Sequence, residues 1–477
     1  GATEGAEQSA LNLFGATLEA PTSLSIARNG SLVSGDALSG GSISPGLLLT
    51  PKVVIGQGSP APVDGFVLPL MQLSGGAYDW TSLEVGEQSA GLLTLSSEAN
   101  LTVQTLKVGQ TPGQRGDVEL RDRQTFLDAK DAGVGDTGPG RVQVSGGATF
   151  FSSEFLFLGI DESGELLLDG KAPDGTSSAL SADQGRLGAN KQGLATLQLT
   201  QGAFASFTGD LRAGIAGTAF ITASDPDTQL VVFGQSTVGE TGNGNVDILT
   251  GASALLTGQT TLGVQSTGVG DLKVEGAANE VQLASSLEAA SIIVGAAGQG
   301  SFEVRNGARA RLTGDLQVAT QAEGRGRVLL DGPPVASAGS LGPPTLDCDG
   351  SLGLGEAGAA TMDLVNGATA SFQALRVGGG TQPARLTLNT SSGIEVLAAS
   401  AGDALAGQVF VGGGTGRSVL ELKNGSSMLV LPGNLPAAGD VFVQRNGVLR
   451  VDTSSAMAVQ ELFVVGTLIG KVVETGL

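Results

Sequence analysis

Ile292–Ala319 reads IIVGAAGQGSFEVRNGARARLTGDLQVA, and the rest of the chain repeats, lengthens or decorates this stretch. An apolar run ends in Val294-Gly295, a turn of small residues follows, and then Phe302 and Val304 alternate with Glu303 and Arg305. Alternation with period two marks a strand with one buried face. Ala308, Ala310 and Leu312 continue the apolar set with Arg309 and Arg311 opposed to them, and Leu316 and Val318 supply a third side. Asn306-Gly307 is the corner, since Gly takes a positive φ cheaply and Asn tolerates it better than most residues. A single copy is a bent ribbon that cannot bury its inner face alone.

Val-Gly-type corners recur from Gly56 to Gly466, with Ala319 and Gln444 where Gly is missing. Most copies are spaced by about 22 to 26 residues and a minority by about 29 to 36, which gives about sixteen copies. A sustained period in this range is a solenoid signature. Each strand then pairs with its equivalent one turn away, and sixteen turns at about 4.8 Å make a rod of roughly 75 Å. The expected organisation is an N-terminal cap or docking segment over 1–22, a single β-solenoid of three-strand rungs over 23–470, and an edge strand or tail over 471–477.

Composition supports this choice. The 477 residues include 77 Gly, roughly twice average usage, concentrated at the corners rather than spread as in a disordered chain. Aromatics make up only 4 % and the apolar residues are mainly Val, Leu and Ala, which stack in a narrow tube. Charged residues are only 15 % of the chain and the net charge is −21, because Lys and Arg are scarce. Such a surface repels nucleic acid and anionic lipid, which need clustered basic residues, so neither is expected as a partner. No apolar run approaches the length of a membrane helix, and the aromatic girdles of a membrane barrel are missing, so no membrane insertion is expected. No basic segment followed by an apolar one opens the chain, so an exported protein would have lost its signal peptide already.

Departures from the repeat point to special roles. Arg121–Gly138, RDRQTFLDAKDAGVGDTG, is the most charged stretch and is expected to be an outward loop. Phe150, Phe151, Phe155 and Phe157 make the most aromatic copy, and alternation sends some of them outward. Longer spacings at 170–186, 276–291, 332–351 and 393–407 are expected to follow the corner after the first strand, so that their loops line one edge. Leu11, Leu13 and Phe14 near the start, and Leu468, Ile469, Val472 and Val473 near the end, are candidate assembly residues, because an uncapped apolar edge strand invites pairing.

The corners carry a resemblance. VGAAGQGSFEVRNGARA (294–310) and LGLGEAGAATMDLVNGATA (352–370) resemble the repeat of bacterial type V secretion and PEP-CTERM-associated proteins, with its Val-Gly, Gly-x-Leu-x-Val and Asn-Gly-Ala pattern. The likeness covers roughly 130–465 and more weakly 23–130. It implies the passenger portion of an autotransporter-type surface protein: an all-β, right-handed parallel β-helix exported by a Gram-negative bacterium to its surface or surroundings.

Chemistry is sparse. With no His, the chain lacks the usual general base and every Ser-His-Asp triad. A glycosidase needs two carboxyls facing one cleft, and the nearest pairs, Asp225 with Asp227, Asp347 with Asp349 and Asp161 with Glu162, lie in sequence that reads as loop. Calcium takes six to eight oxygens, and Asp169 and Asp174 or Asp347 and Asp349 are its weak candidates, though neither stretch has a calcium-loop spacing. Tyr78 and Trp80 are the candidates for stacking on a sugar, against the alternative that both are buried. Cys348, the sole cysteine, is expected to be a buried or idle thiol, with cross-linking of two subunits as the alternative. The reading is a non-enzymatic extracellular structural solenoid, without a required cofactor, that associates end to end with its own kind. The alternatives are a monomeric adhesin that binds a glycan or surface through its loop edge and, more remotely, a polysaccharide lyase or hydrolase.

Overall fold

The computed structural model describes residues 70–276, 284–333, 342–397, 407–431, 439–470 and 473–474, with six strands before them: Ser9–Leu13, Thr17–Glu19, Leu24–Ala27, Gly30–Ser34, Leu47–Leu49 and Lys52–Gln57. The described regular structure is entirely β-strand, without a helix among the described residues. The strands form two large parallel sheets and one small pair, Thr17–Glu19 with Leu47–Leu49. The chain divides into two compact units, 1–222 with 227–231 and 223–226 with 232–477, and each is built the same way.

One repeat shows how. Gln299–Arg305 belongs to the first sheet, and Arg309–Leu312 and Leu316–Val318 belong to the second. Phe302, Val304, Ala308, Ala310, Leu312, Leu316 and Val318 are all buried, as their alternation requires. Elsewhere the two second-sheet strands fuse into one long strand that bends midway, as in Thr149–Leu158, whose register shifts between Ser152 and Phe155.

Parallel pairing in constant register converts the alternation into columns. In the second unit Leu272, Phe302, Val328, Met362, Leu386, Leu420 and Leu449 stand one behind another in the first sheet. In the first unit the corresponding column is Met71, Leu93, Val118, Val142, Leu166 and Leu197. Every member is buried. Fully burying a side chain of this size contributes roughly 2–3 kcal/mol, so the columns carry much of the stability.

The corners are held by backbone conformation and by two side-chain devices. Gly295 has φ 69°, and a Cβ there would lie 2.2 Å from the carbonyl oxygen of Arg325, so both conformation and space demand glycine. Ala319 takes the same left-handed conformation at φ 57° despite its Cβ. At the Asn-Gly corner, Asn306 (φ 52°) donates from Nδ2 to Glu275 Oε1 one turn earlier at 2.8 Å. Asn366 repeats this toward Asp331 at 2.9 Å and Asn424 toward Asn389 at 2.7 Å. A buried hydroxyl replaces alanine after two of the long spacings. Ser178 donates to the Asp169 carbonyl at 2.8 Å and Ser285 to the Glu275 carbonyl at 2.6 Å, closing each loop at its base.

Four expectations are corrected. Only the two ends of the charged stretch turn, because Phe126–Val134 between them is a second-sheet strand that buries Leu127, Ala129, Ala132 and Val134 and turns Asp128, Lys130 and Asp131 outward. Neither Gln444 nor Gly466 adopts the left-handed conformation, and Asn446 (φ 63°) makes the turn after Gln444 instead. Three long spacings do follow first-sheet strands ending at Asp169, Glu275 and Asp331. The fourth does not: Gly393–Val396 is a second-sheet strand, so the extra residues enter after it, at a different corner. Asp347 lies in the strand Thr345–Cys348 rather than in a loop. At the start of the chain, Ser9–Leu13 pairs with Gly30–Ser34 in parallel register, so this part of the expected cap is itself a strand of the first sheet. Phe14 and Val472, and the middle of three long spacings (277–283, 334–341 and 398–406), lie outside the described residues.

Candidate functional site

The outer face of the first sheet is where the second unit collects charge. A groove of about 860 Å3 runs over strands lying between Asn243 and Leu388. Its floor is open because Ser301, Ala359 and Thr361 are short and Gly300 and Gly326 have no side chain, while arginines, lysine and carboxylates rise around them. Register sets the order along it: Asn245, Asp271, Ser301, Arg327, Thr361 and Arg385 form one ladder, and Asp247, Lys273 and Glu303 form the next.

The groove is polarised. At one end burial raises the carboxyls of Asp247 and Asp271 above the usual range, opposed for Asp247 by Lys273 and reinforced for both by Glu303. Lys273 reaches Glu275 at 3.4 Å and Asp247 at 3.8 Å. At the other end stand Arg325, Arg327 and Arg385, all exposed. Arg327 approaches Glu303 at 3.4 Å, and Arg385 pairs with Glu421 at 2.5 Å and donates to Thr387 Oγ1 at 3.1 Å. Arg325 has no carboxylate partner among the described residues. Guanidiniums half in water, with planar forks and short neighbours, suit the binding of an anion.

Aromatic side chains gather on the outer face of the second sheet in both units. In the first, Phe126 stacks on Phe151 at 6.4 Å, and Arg186 lies over Phe155 at 4.5 Å and over Phe157 at 5.6 Å. Phe150, the fourth residue of that run, is buried. In the second, Phe410, Phe442 and Phe463 stand in register with ring centroids 5.0 Å apart at each step. Phe463 is 45 % exposed.

The residues singled out from sequence are placed as follows. Tyr78 and Trp80 are inside, 3 % and 1 % exposed with ring centroids 6.2 Å apart, so neither offers a face to a sugar. They point inward because they stand in register with Leu101 and Val103, both buried, on the next strand of the second sheet, Asn100–Val108. Among the calcium candidates, Asp169 accepts from Thr200 Oγ1 at 2.8 Å, and Asp174 from Arg123 at 2.6 Å and from the Thr176 N–H at 3.0 Å. Asp347 accepts from Ser371 Oγ at 3.1 Å and Asp349 from Arg311 at 3.1 Å. No group of three or more metal-ligating side chains forms among the described residues. Asp227 pairs with Lys171 at 3.0 Å and Asp161 accepts from Asn190 at 2.7 Å, so these carboxylates are engaged with neighbours rather than with each other. Cys348 is buried, donates to the Gly314 carbonyl at 3.0 Å, and has its thiol pushed up to about 12 by burial.

Of the assembly candidates, Leu468 and Ile469 are 38 % and 49 % exposed on Thr467–Gly470, opposite Leu449 and Arg450. Val473 pairs with Ala458, and Leu11 and Leu13 lie in Ser9–Leu13 opposite Leu32 and Ser34. The groove and the Phe column were missed from sequence. The signal for the column was present in VFVGG, VFVQR and LFVVG, where Phe holds one position in three successive copies. No protein-family model and no curated protein matches the chain.

Proposed function

We propose that the chain is a non-enzymatic structural protein of the Gram-negative cell surface, a single right-handed parallel β-helix of about sixteen three-strand rungs that joins end to end with further copies. The observation that carries this reading is the apolar row on the last described strands. Leu468 stands in the column of Leu420 and Leu449, both buried, yet is itself exposed, and Phe463, Val464, Val465 and Ile469 are exposed beside it. A second copy adding its strands to this edge would continue the backbone ladder and cover the exposed Phe463, Leu468 and Ile469. In this arrangement the protein works through length and contact, and its acidic surface limits sideways aggregation.

The test is electron microscopy of purified 1–477 over a range of concentrations, paired with the double substitution Leu468→Lys and Ile469→Lys. Filaments that lengthen with concentration and vanish in the variant are expected. Monodisperse particles at every concentration and salt would defeat end-to-end association. Scission of an acidic polysaccharide incubated with the protein would defeat the non-enzymatic part.

A further inference from the structure

We infer that the groove on the outer face of the first sheet binds a linear acidic glycan, whose carboxylates or sulfates sit on Arg325, Arg327 and Arg385. Four of the chain's 25 basic residues line this one groove against three carboxylates, in a protein whose net charge is −21. A local excess of cations on so acidic a molecule is a focus for anions.

Spacing comes next. Arg327 and Arg385 occupy one ladder with Thr361 between them, so they are two strand spacings apart, roughly 10 Å, and Arg325 stands beside Arg327 on the same strand. This is a row of forks along the sheet rather than a single pocket, and it fits anions repeated along a chain. The carboxylates that Arg327 and Arg385 meet are partners of half-exposed arginines, and exposed pairs of this kind are weak enough for a ligand anion to replace.

The lining selects the class of chain. Asn245, Gln299, Ser301 and Thr361 offer amides and hydroxyls to a hydroxyl-rich polymer. A peptide is disfavoured because the strands under the groove are paired on both sides, which leaves no edge for strand addition. A nucleic acid is disfavoured because no aromatic side chain lines the groove for base stacking and the surrounding surface is acidic. This inference is independent of filament formation, since the groove lies away from the exposed last strands.

Fluorescence polarisation of intact 1–477 with end-labelled hexagalacturonate, a heparin-derived hexasaccharide, a neutral dextran oligomer and hexaglutamate tests it. Salt-sensitive binding of at least one acidic glycan is expected, with no binding of dextran. The galacturonate and heparin arms separate carboxylate from sulfate recognition. Arg327→Gln with Arg385→Gln should weaken binding at least tenfold, and Arg309→Gln with Arg311→Gln, on the other sheet, should leave it unchanged. The proposal is overturned if neither acidic glycan binds, if the groove variant binds as tightly as the parent, or if hexaglutamate binds equally well.

Discussion

At the scale of single residues, the corners separate two demands that usually coincide. Gly295 needs its positive φ and also the empty space where a Cβ would meet a carbonyl oxygen, whereas Ala319 keeps the φ and carries the Cβ. A left-handed L-residue costs about 1–2 kcal/mol, and part of that returns as unfolded-state entropy when glycine replaces it. Ala319→Gly should therefore raise stability by about 0.5–1 kcal/mol, whereas Gly295→Ala should lower it by about 3 kcal/mol or more, strain and overlap together. Urea unfolding of the two variants checks both signs. If Ala319→Gly is destabilising, the Ala319 methyl contributes packing that outweighs its strain.

At the scale of strands, inside and outside aromatics make different contributions. Phe302 is fully buried between Leu272 and Val328, so Phe302→Ala removes a core side chain and should cost about 3–5 kcal/mol. Phe442 lies outside the sheet between two stacked rings, and Phe442→Ala should cost about 1–2 kcal/mol. Because each repeat is stabilised mainly by its neighbours, hydrogen exchange should speed up in the adjoining strands first. Uniform loss of protection throughout the second unit in Phe302→Ala would contradict that locality. What was legible in sequence follows the same division. The inward set from Phe302 to Val318 and the corner glycines are fixed by local alternation and local φ, and both could be read from one copy. FLDAKDAGV could not, since its alternation slips at the bend between Ala129 and Asp131, where charges face outward on a paired strand. Tyr78 and Trp80 were open to decision, because they alternate with one another ahead of a plainly buried Leu83 and Val85. The groove was beyond reach: Arg327 and Arg385 come onto one ladder, with Thr361 between them, only through a register that depends on how the long spacing after Asp331 is accommodated.

At the scale of the whole molecule, the net charge of −21 couples stability to pH in a direction opposite to ordinary acid denaturation. Burial raises the carboxyls of Asp117, Asp128, Asp247 and Asp271 above their usual range, so in this window the folded chain binds protons that the unfolded chain releases. Stability must then rise as pH falls from neutrality toward the folded-state values, and relief of general repulsion adds to the gain. Asp452 acts the other way. The Asn424 N–H, with Ser455 and Ser454, holds its carboxyl down to about 2, so its contribution is present above the usual value near 4 and is lost as pH falls toward 2. Asp174, lowered by the Thr176 N–H, has the same sign. The urea midpoint should therefore be higher at pH 5 than at pH 7.5 and should fall again below about pH 3. Asp247→Asn with Asp271→Asn should flatten the rise between pH 7.5 and 5, because two of the groups that take up protons on folding are gone. Moderate salt at pH 7.5 should recover part of the same gain by screening. A midpoint that declines steadily from pH 7.5 to pH 5 would mean that carboxylates held down by their hydrogen-bond donors, as Asp452 and Asp174 are, outweigh the buried acids in setting the stability of the fold.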